Sequence, residues 1–353
     1  MPTPPNFDRR QMSGAPAKPG AGSAIPLVRA NAFAPFVGFL NEIGAPLERL
    51  LCKARMPPVL FDDPEALLPV MSGYRFAELA ARQEKIEDLG VVIGQRASSF
   101  ELGVFGALLR ETSTVYEYLK TGVRLIGGYS GGTKLWLTPE SGALRLNQYL
   151  TGPPSPGRCI ADLYTLVLTV NTLRQLLGPT WSPPEVCLMS GNEKLHGDCG
   201  VFGSAQLITG QSHSSFTIPR SVMQMSMPPW HDKSMSGRDT GLAGQRMPTD
   251  FKASAEQLIA SLLTDGYPPI ESAADAAGMS SRTLQRRLAE AGTSYSGLVS
   301  DTRLRMAKAW LTDSDMPVAE IAATLGYNEA TNFARAFRRQ TGTSPAAYRR
   351  GQA

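Results

Sequence analysis

Residues that bind metals or form disulfide bonds are scarce in this chain. Its 353 residues include three histidines and four cysteines. The cysteines show no C-x-x-C spacing, which favours free thiols over a zinc site or a disulfide framework; they are Cys52, Cys159, Cys187 and Cys199. His196, Asp198 and Cys199 offer a cluster of donor side chains, but their spacing matches no established ligand pattern. We therefore expect neither a bound metal nor a cofactor.

Long apolar runs are also absent. The longest uncharged stretch, residues 199–219, is interrupted by glycine, serine, threonine and histidine, so it is unsuited to a bilayer. The first 26 residues lack the apolar segment of a signal peptide. Together with the scattered thiols, this predicts a soluble cytoplasmic protein with no membrane partner.

The usual settings of a catalytic site are missing as well. Residues 127–134 form a glycine-rich segment that resembles a phosphate-binding loop but lacks the G-x-x-x-x-G-K-[ST] order. Without a strand before it and a helix after it, the segment is better interpreted as a connection between a helix and a hairpin. Serine, histidine and aspartate occur, but no nucleophile elbow frames a serine. These absences argue against an enzyme.

Charge is unevenly distributed along the chain. The net charge is only +4, so overall charge does not indicate a nucleic-acid partner. From residue 331 to the end, however, five arginines occur without any acidic residue, namely Arg335, Arg338, Arg339, Arg349 and Arg350. A DNA-binding surface would therefore be a local patch and not a uniformly basic domain.

Composition and periodicity divide the chain into four parts. Residues 1–31, rich in Pro, Ala, Gly and Ser, predict a disordered tail. Residues 32–229 mix amphipathic helical stripes with a hairpin around Pro139, which predicts an α+β domain. Residues 230–250 have the composition of a linker. Residues 251–350 are predicted to form an all-α domain.

The all-α domain contains the same unit twice. In the first copy a short helix ends at Gly278, and Ser280 is placed to cap a second helix with Leu284 and Leu288 on one face. The other copy has Gly326 at its turn and places Phe333 and Phe337 four residues apart. Both copies are typical of a helix-turn-helix, joined by a predicted helix over residues 297–312. An ordinary helical bundle is the weaker interpretation, because the two turns match.

These features resemble a known family of regulators. The two units, the joining segment from Leu298 to Leu311, and the ending Gly342-Thr-Ser-Pro345 are similar to the DNA-binding domain of the AraC/XylS family. Residues 101–119 are similar to the N-terminal domain of one AraC subgroup, called arabinose-binding-like. The resemblance implies an effector-binding or dimerisation domain, double-stranded DNA and RNA polymerase as partners, and an activator more often than a repressor. We expect a small-molecule effector and a homodimer, but no effector-binding residues are predicted.

The resemblance also assigns residues to DNA. Side chains expected at base edges are Arg282, Gln285, Arg286, Thr331, Asn332 and Arg335. Those expected at phosphates are Ser281, Arg287, Arg338 and Arg339. Two alternatives stay open. The residues do not distinguish an activator from a DNA-binding repressor. An interaction protein could also carry this fold, with the N-terminal domain used only for oligomerisation, although long Arg and Gln side chains favour base contact.

Overall fold

A computed structural model describes residues 24–56, 63–189, 200–227, 247–263 and 266–352. The chain divides into two compact units, and each is assembled from separate stretches of sequence. Within the described residues, the first comprises Val28–Leu50 and those from 74 to 247. The second comprises those from 24 to 27, from 51 to 73 and from 248 onward. The predicted order, an α+β domain followed by an all-α tandem helix-turn-helix domain, is confirmed.

The elements before residue 228 are a mixture of helices and strands. In chain order they are β1 (Leu27–Arg29), α1 (Ala34–Glu42), α2 (Leu47–Ala54), β2 (Leu67–Pro69), α3 (Val70–Glu84), α4 (Leu89–Arg96), α5 (Gly103–Arg110), α6 (Val115–Tyr129), β3 (Thr133–Glu140), β4 (Ala143–Leu150), α7 (Pro156–Leu177), β5 (Glu185–Cys187), β6 (Gln206–Ile208) and β7 (Ser214–Pro219). Residues 73–94 have a continuous amphipathic pattern but form parts of two helices, α3 and α4. Lys85 separates them with a φ of 58°, which ends the first helix.

A five-stranded sheet forms the centre of the first unit. Its strand order is β3-β4-β7-β5-β6. The pairs β3–β4, β4–β7 and β7–β5 are antiparallel, while β5 and β6 are parallel. The predicted hairpin is confirmed as β3 and β4, with Glu140 opposite Ala143. Leu144 and Leu146 alternate along β4 and are both buried, as expected where one face of a sheet is covered.

A buried polar contact joins helix α7 to this sheet. The Asp162 carboxylate accepts a hydrogen bond from Gln148 Nε2 at 2.9 Å and another from the Ser214 hydroxyl. Burial raises the pKa of Asp162, although these hydrogen bonds and the nearby Arg158 guanidinium oppose the shift. One helix and two strands, β4 and β7, are thus held by a single carboxyl group.

The predicted disordered tail is wrong from Ala24 onward. Ile25 and Leu27 are buried, and Leu27 begins strand β1. The Ile25 N–H donates to Ser254 Oγ at 2.8 Å, within the second unit. Two apolar side chains in a proline- and alanine-rich context are sufficient here because they pack onto a partner distant in sequence. Residues 1–23, and most of the predicted linker, lie outside the described residues.

The second unit carries the remaining helices. They are α8 (Phe251–Leu262), α9 (Ile270–Ala276), α10 (Ser281–Glu290), α11 (Tyr295–Asp313), α12 (Val318–Thr324), α13 (Ala330–Thr341) and α14 (Pro345–Gln352). Asp250, placed in the linker by its composition, caps α8 by accepting from the Ala253 N–H at 2.8 Å. Asp250 therefore belongs to the start of helix α8 and not to the linker.

Two early segments of the chain pack on the helices of this unit. Strand β2 contacts α8. Arg55 lies 3.6 Å from the Asp275 carboxylate, on α9. This differs from the sequence-based boundaries, which placed all of residues 32–229 in the N-terminal domain. The difference follows from tertiary packing, because nothing local in residues 51–73 marks them as part of a distant helical unit.

Candidate nucleic-acid interface

The first helix-turn-helix consists of α9 and α10. Its turn contains Gly278 with a φ of 69°, in the left-handed region that favours glycine. A side chain there would also crowd Met71, whose Cγ would lie 3.0 Å from the added Cβ. Ser280 caps α10, accepting a hydrogen bond from the Thr283 N–H at 3.2 Å. The predicted turn and cap are both confirmed.

Helix α10 has a buried face and an exposed face. Leu284 and Leu288 are buried in the unit, as their spacing predicts. The exposed face carries Arg282, Gln285 and Arg286, and Ser281 at the helix start is half-buried. Arg286 donates to the Glu290 carboxylate at 2.7 Å, one turn further along. Three of the residues expected at base edges therefore lie together on an accessible surface.

Arg287, expected at a phosphate, is half-buried at the edge of that surface. Its guanidinium carbon lies 4.1 Å from the centre of the Phe251 ring in α8. Burial lowers the pKa of Arg287, although the neighbouring Glu290 opposes the shift. Position 287 is rotated about 100° from position 286 around the helix axis, which turns it towards α8. The structure thus uses this arginine for packing.

The second helix-turn-helix consists of α12 and α13. Phe333 and Phe337 are each 2% exposed and face the core. The opposite side of α13 is exposed and carries Thr331, Asn332, Arg335, Arg338 and Arg339. At the helix start, the Thr331 hydroxyl donates to the Glu329 carboxylate at 3.0 Å. Every residue predicted at this second interface is accessible, and an acidic side chain that the sequence analysis did not consider lies beside it.

Helix α11 joins the two helix-turn-helix units and contributes side chains to both. It was predicted over residues 297–312 and extends from Tyr295 to Asp313, with Ser294 as its cap. Its C-terminal half enters the core of the second helix-turn-helix through Leu304, Ala307 and Leu311. Leu298 and Val299 are buried earlier along the same helix. A continuous helix therefore connects the two helix-turn-helix units.

Arg349 was counted with the basic patch, but the structure assigns it a packing role. It donates to the main-chain carbonyl of Met316 at 2.6 Å and to that of Leu311 at 3.4 Å. These contacts tie the final helix α14 to the end of α11. The charge of Arg349 is therefore directed at carbonyl oxygens near a helix C-terminus, where cations are favourable.

The first unit contains a cleft of ≈ 310 Å³ between α1 and α4. Phe39, Ile93 and Ala97 supply apolar lining, and Glu42, Arg96 and Glu101 supply charge. Arg96 donates to Glu42 at 2.8 Å, and its guanidinium carbon lies 5.1 Å from the centre of the Phe39 ring. The lining of this cleft therefore combines apolar side chains with two carboxylates and one guanidinium.

Other candidate chemistry finds no support in the described residues. They contain no group of three potential metal ligands among His, Cys, Asp and Glu; His196, Asp198 and Cys199 lie outside them. Residues 128–132 spell G-x-S-x-G, but Ser130 follows helix α6 and precedes strand β3, the reverse of a nucleophile elbow. No helix in the described ranges combines the length and apolarity needed to cross a bilayer.

Two family models match the chain. A helix-turn-helix domain model matches residues 273–351, which cover most of the first helix-turn-helix and all of the second. The model of the N-terminal arabinose-binding domain of AraC transcription regulators matches residues 44–227, more than half of the chain. The chain belongs to the AraC family of transcription regulators. This AraC-family protein is therefore a DNA-binding regulator with an N-terminal domain of the effector-binding type, and not an enzyme.

Relatives of this regulator span nearly its whole length. The ornithine utilization regulator of Pseudomonas aeruginosa is 24% identical over 345 residues, covering 92% of this chain and 96% of the relative. The regulator VirS of Mycobacterium tuberculosis is 24% identical over 332 residues, again covering 92% and 96%. Among solved structures, the DNA-binding domain of AdpA in complex with a target DNA is 32% identical, covering 28% of this chain and 90% of that one, with a TM-score of 0.26.

Proposed function

We propose that this regulator reads two adjacent major grooves with helices α10 and α13 of a single chain. The observation that carries the proposal is that both helices present exposed Arg, Gln, Asn and Thr side chains and are joined by the continuous helix α11. Its 19 residues span about 28 Å at 1.5 Å each. Adjacent major-groove faces lie about 34 Å apart along straight DNA. The joining helix is thus close to one groove repeat in length but shorter than it.

In this proposal the exposed side chains divide by role. Arg282, Gln285 and Arg286 contact base edges in the first groove, because Arg pairs with guanine and Gln with adenine there. Thr331, Asn332 and Arg335 do so in the second groove. Ser281, Arg338 and Arg339 contact phosphates, which position the protein without reading sequence. Arg287 is left out, since its guanidinium packs on Phe251.

The short span of α11 has a consequence for the DNA. Either the duplex bends towards the protein, or α13 engages only part of its groove. Both geometries predict an asymmetric site, because the two recognition helices differ in sequence and lie on one chain. This distinguishes the proposal from the palindromic sites read by dimers with one helix-turn-helix per subunit.

Selection of bound duplexes from a random library by the full chain, followed by footprinting, tests the proposal. We expect an asymmetric protected site covering about two turns. Analytical ultracentrifugation should show one chain, and therefore one pair of helix-turn-helix units, bound to each such site. A palindromic footprint in which each half protects a single groove and needs its own chain would overturn the proposal.

For regulation, we propose an effector-responsive activator. The cleft between α1 and α4 offers two carboxylates and one guanidinium, Glu42, Glu101 and Arg96, which suits a small amino acid with an additional amino group. A relative named for ornithine utilization supports ornithine as the first compound to try. A relative named transcriptional activator NphR, 30% identical over 105 residues, supports activation. We include contact with RNA polymerase, a homodimer and a cytoplasmic location in this proposal, on the family resemblance.

Thermal unfolding of the full chain tests the effector proposal. Ornithine should raise the melting temperature, because a ligand that binds the folded state stabilises it, and glutamate, with the opposite side-chain charge, should not. Glu101→Gln and Arg96→Met should each reduce the ornithine shift. In vitro transcription from a selected site should then increase with ornithine. A shift that is unchanged in both variants would exclude the cleft, and reduced transcription would identify a repressor.

A further inference from the structure

One arginine on the joining helix contacts residues from both sides of it. The Arg303 guanidinium carbon lies 4.5 Å from the centre of the Tyr327 ring and 5.1 Å from the centre of the Tyr267 ring. Arg303 also donates to the Gly326 carbonyl at 3.1 Å. Tyr267 precedes the first helix-turn-helix, whereas Gly326 and Tyr327 form the turn of the second. We call Tyr267, Arg303, Gly326 and Tyr327 the Arg303 bridge.

The two helix-turn-helix units also meet main chain to main chain at this bridge. A Cβ added at Gly326 would lie 2.5 Å from Gly266 Cα and 2.9 Å from the Tyr267 nitrogen. Gly326 has a φ of 72°, so glycine is favoured there by conformation as well as by space. The turn of the second helix-turn-helix is thus packed directly against the segment that precedes the first helix-turn-helix.

Both aromatic rings of the bridge are anchored. Tyr267 meets Tyr295 edge to face, with centroids 6.4 Å apart, and the Tyr295 hydroxyl donates to the Pro268 carbonyl at 2.6 Å. On the other side, the Tyr327 centroid lies 5.5 Å from that of Phe333, which is in the second recognition helix. A continuous path of side-chain contacts therefore runs from the start of α11 through Arg303 to α13.

The chemistry of the bridge favours arginine specifically. A planar guanidinium can stack on two ring faces and still direct one N–H at a carbonyl, whereas a lysine ammonium is a compact, strongly hydrated charge. Arg303 Nε is buried without a hydrogen-bond partner in the part of the chain that the structure describes. The rest of the guanidinium forms the bridge, through its two ring contacts and its hydrogen bond to the Gly326 carbonyl.

We propose that Arg303 is a positioning residue that fixes the angle between α10 and α13, and thereby the spacing at which the two DNA segments are read. The inference rests on the proposed reading of two grooves. Each base pair inserted between the segments rotates one against the other by about 35°. A protein whose recognition helices are held at one angle will therefore discriminate sharply between spacings, and one whose helices swivel will not.

The test uses the full chain and fluorescein-labelled duplexes derived from the site selected by the wild-type protein. One series changes the number of base pairs between the two recognition segments by one or two in either direction. A second series scrambles one segment, leaving a half-site. Wild type should lose at least about tenfold in affinity on a one-base-pair change, the scale of a lost base contact.

Arg303→Met is the principal variant because it keeps side-chain length and removes the cation. It should bind the best spacing more weakly, with the penalty for a one-base-pair change falling to within about threefold, while half-site affinity is unchanged. Arg303→Lys should restore the penalty only partly. Arg305→Met, which removes the same charge from an exposed position of α11, is the matched control and should keep the full penalty.

Tyr327 provides an independent pair of variants in case Arg303→Met does not fold. Tyr327→Phe retains the ring face and should keep the spacing penalty. Tyr327→Leu removes the ring and should reduce the penalty. If Arg303→Met and Tyr327→Leu discriminate spacing as sharply as wild type, Arg303 does not set the angle and the proposal is overturned. If the wild type itself shows no spacing preference, the proposal that the chain reads two grooves is overturned instead.

Discussion

At the scale of single residues, acidic neighbours hold the proposed DNA-reading side chains in place. Arg286 is paired with Glu290, and Thr331 with Glu329. Both pairs are exposed, and an exposed pair one turn apart on a helix contributes only about 0.3–0.5 kcal/mol. A guanine edge contributes about 1–3 kcal/mol, so DNA can replace the carboxylate at Arg286. The carboxylates also repel phosphates, which favours a correct base contact over non-specific binding.

The two proposed roles of arginine at this surface can be separated. Arg286→Ala should cost about 1–3 kcal/mol at one base pair and relax specificity there, because it removes a contact with a base edge. Arg339→Ala should weaken binding to all sequences alike, because it removes a phosphate contact. The slope of the logarithm of the binding constant against the logarithm of the salt concentration should become shallower by about one unit. Binding titrations against a panel of single-base variants at several salt concentrations measure both effects. A change in salt dependence alone for Arg286→Ala would contradict its assignment to a base.

Asp162 in the first unit predicts a dependence on pH. Its folded pKa is raised above the ordinary value of about 3.9, so between those two values the folded state binds the proton more tightly than the unfolded state does. Lowering the pH through that range therefore stabilises the wild type. Asp162→Asn is neutral throughout and lacks this gain. Its melting temperature relative to wild type should fall as the pH is lowered from neutral towards the ordinary aspartate value of about 3.9.

Asp88→Asn is the control for this measurement, because Asp88 is exposed and, like Asp162, an aspartate of the first unit. Its melting temperature should follow that of the wild type across the same pH range. A constant difference between Asp162→Asn and wild type would show that the Asp162 carboxyl does not change its protonation in this range.

Arg287 shows where residue assignments from sequence end. Helical periodicity correctly separated Leu284 and Leu288 from Arg282, Gln285 and Arg286, because burial of one helix face is a local pattern. Position 287 lies at the border of the two faces. Whether it meets solvent or a neighbour depends on where α8 packs, and only the folded unit shows that Phe251 lies beneath it.

At the scale of elements, local signals predicted most of the helix-turn-helix units. Gly278, Gly326 and the cap at Ser280 act within a few residues of chain, so they can be recognised without the fold. The break at Lys85 between α3 and α4 has no such local signal, because lysine carries no turn preference although its backbone is left-handed here.

The joining helix predicts the outcome of an insertion. One alanine inserted after Thr302 adds 1.5 Å and rotates everything beyond it by about 100°. Leu298 and Val299 stay with the first helix-turn-helix, and Ala307 and Leu311 stay with the second, so the core of each is preserved. The seating of Gly326 on Gly266 is lost. Affinity for the full site should fall to that of a half-site, as measured by titration.

The same insertion after Lys308 is the comparison. It separates Ala307 from Leu311, which share the core of the second unit, and should therefore also lower the melting temperature. If the variant with alanine after Thr302 still binds the full site as tightly as wild type does, the angle between the recognition helices does not matter for binding.

At the scale of the whole molecule, a residue far from the helix-turn-helix in sequence should control its stability. Leu68 in β2 is 1% exposed, and β2 packs on α8. Leu68→Ala should cost about 2–5 kcal/mol and increase hydrogen exchange in peptides from residues 251–290. Leu173→Ala in α7, fully buried in the first unit, is the matched control and should affect exchange in its own unit only. Unchanged exchange at α8 in Leu68→Ala would contradict the packing described here.

The second unit is built from pieces of the chain that are synthesised far apart in time. Ile25 and its hydrogen-bond partner Ser254 are separated by 229 positions. At about 5–20 residues per second, Ile25, Leu27 and Leu68 wait on the order of 10–50 s on the ribosome before α8 exists to cover them. Their apolar side chains are exposed during that interval and available to chaperones. We expect a chain terminated before residue 250 to leave these side chains exposed, and therefore to be prone to aggregation or proteolysis.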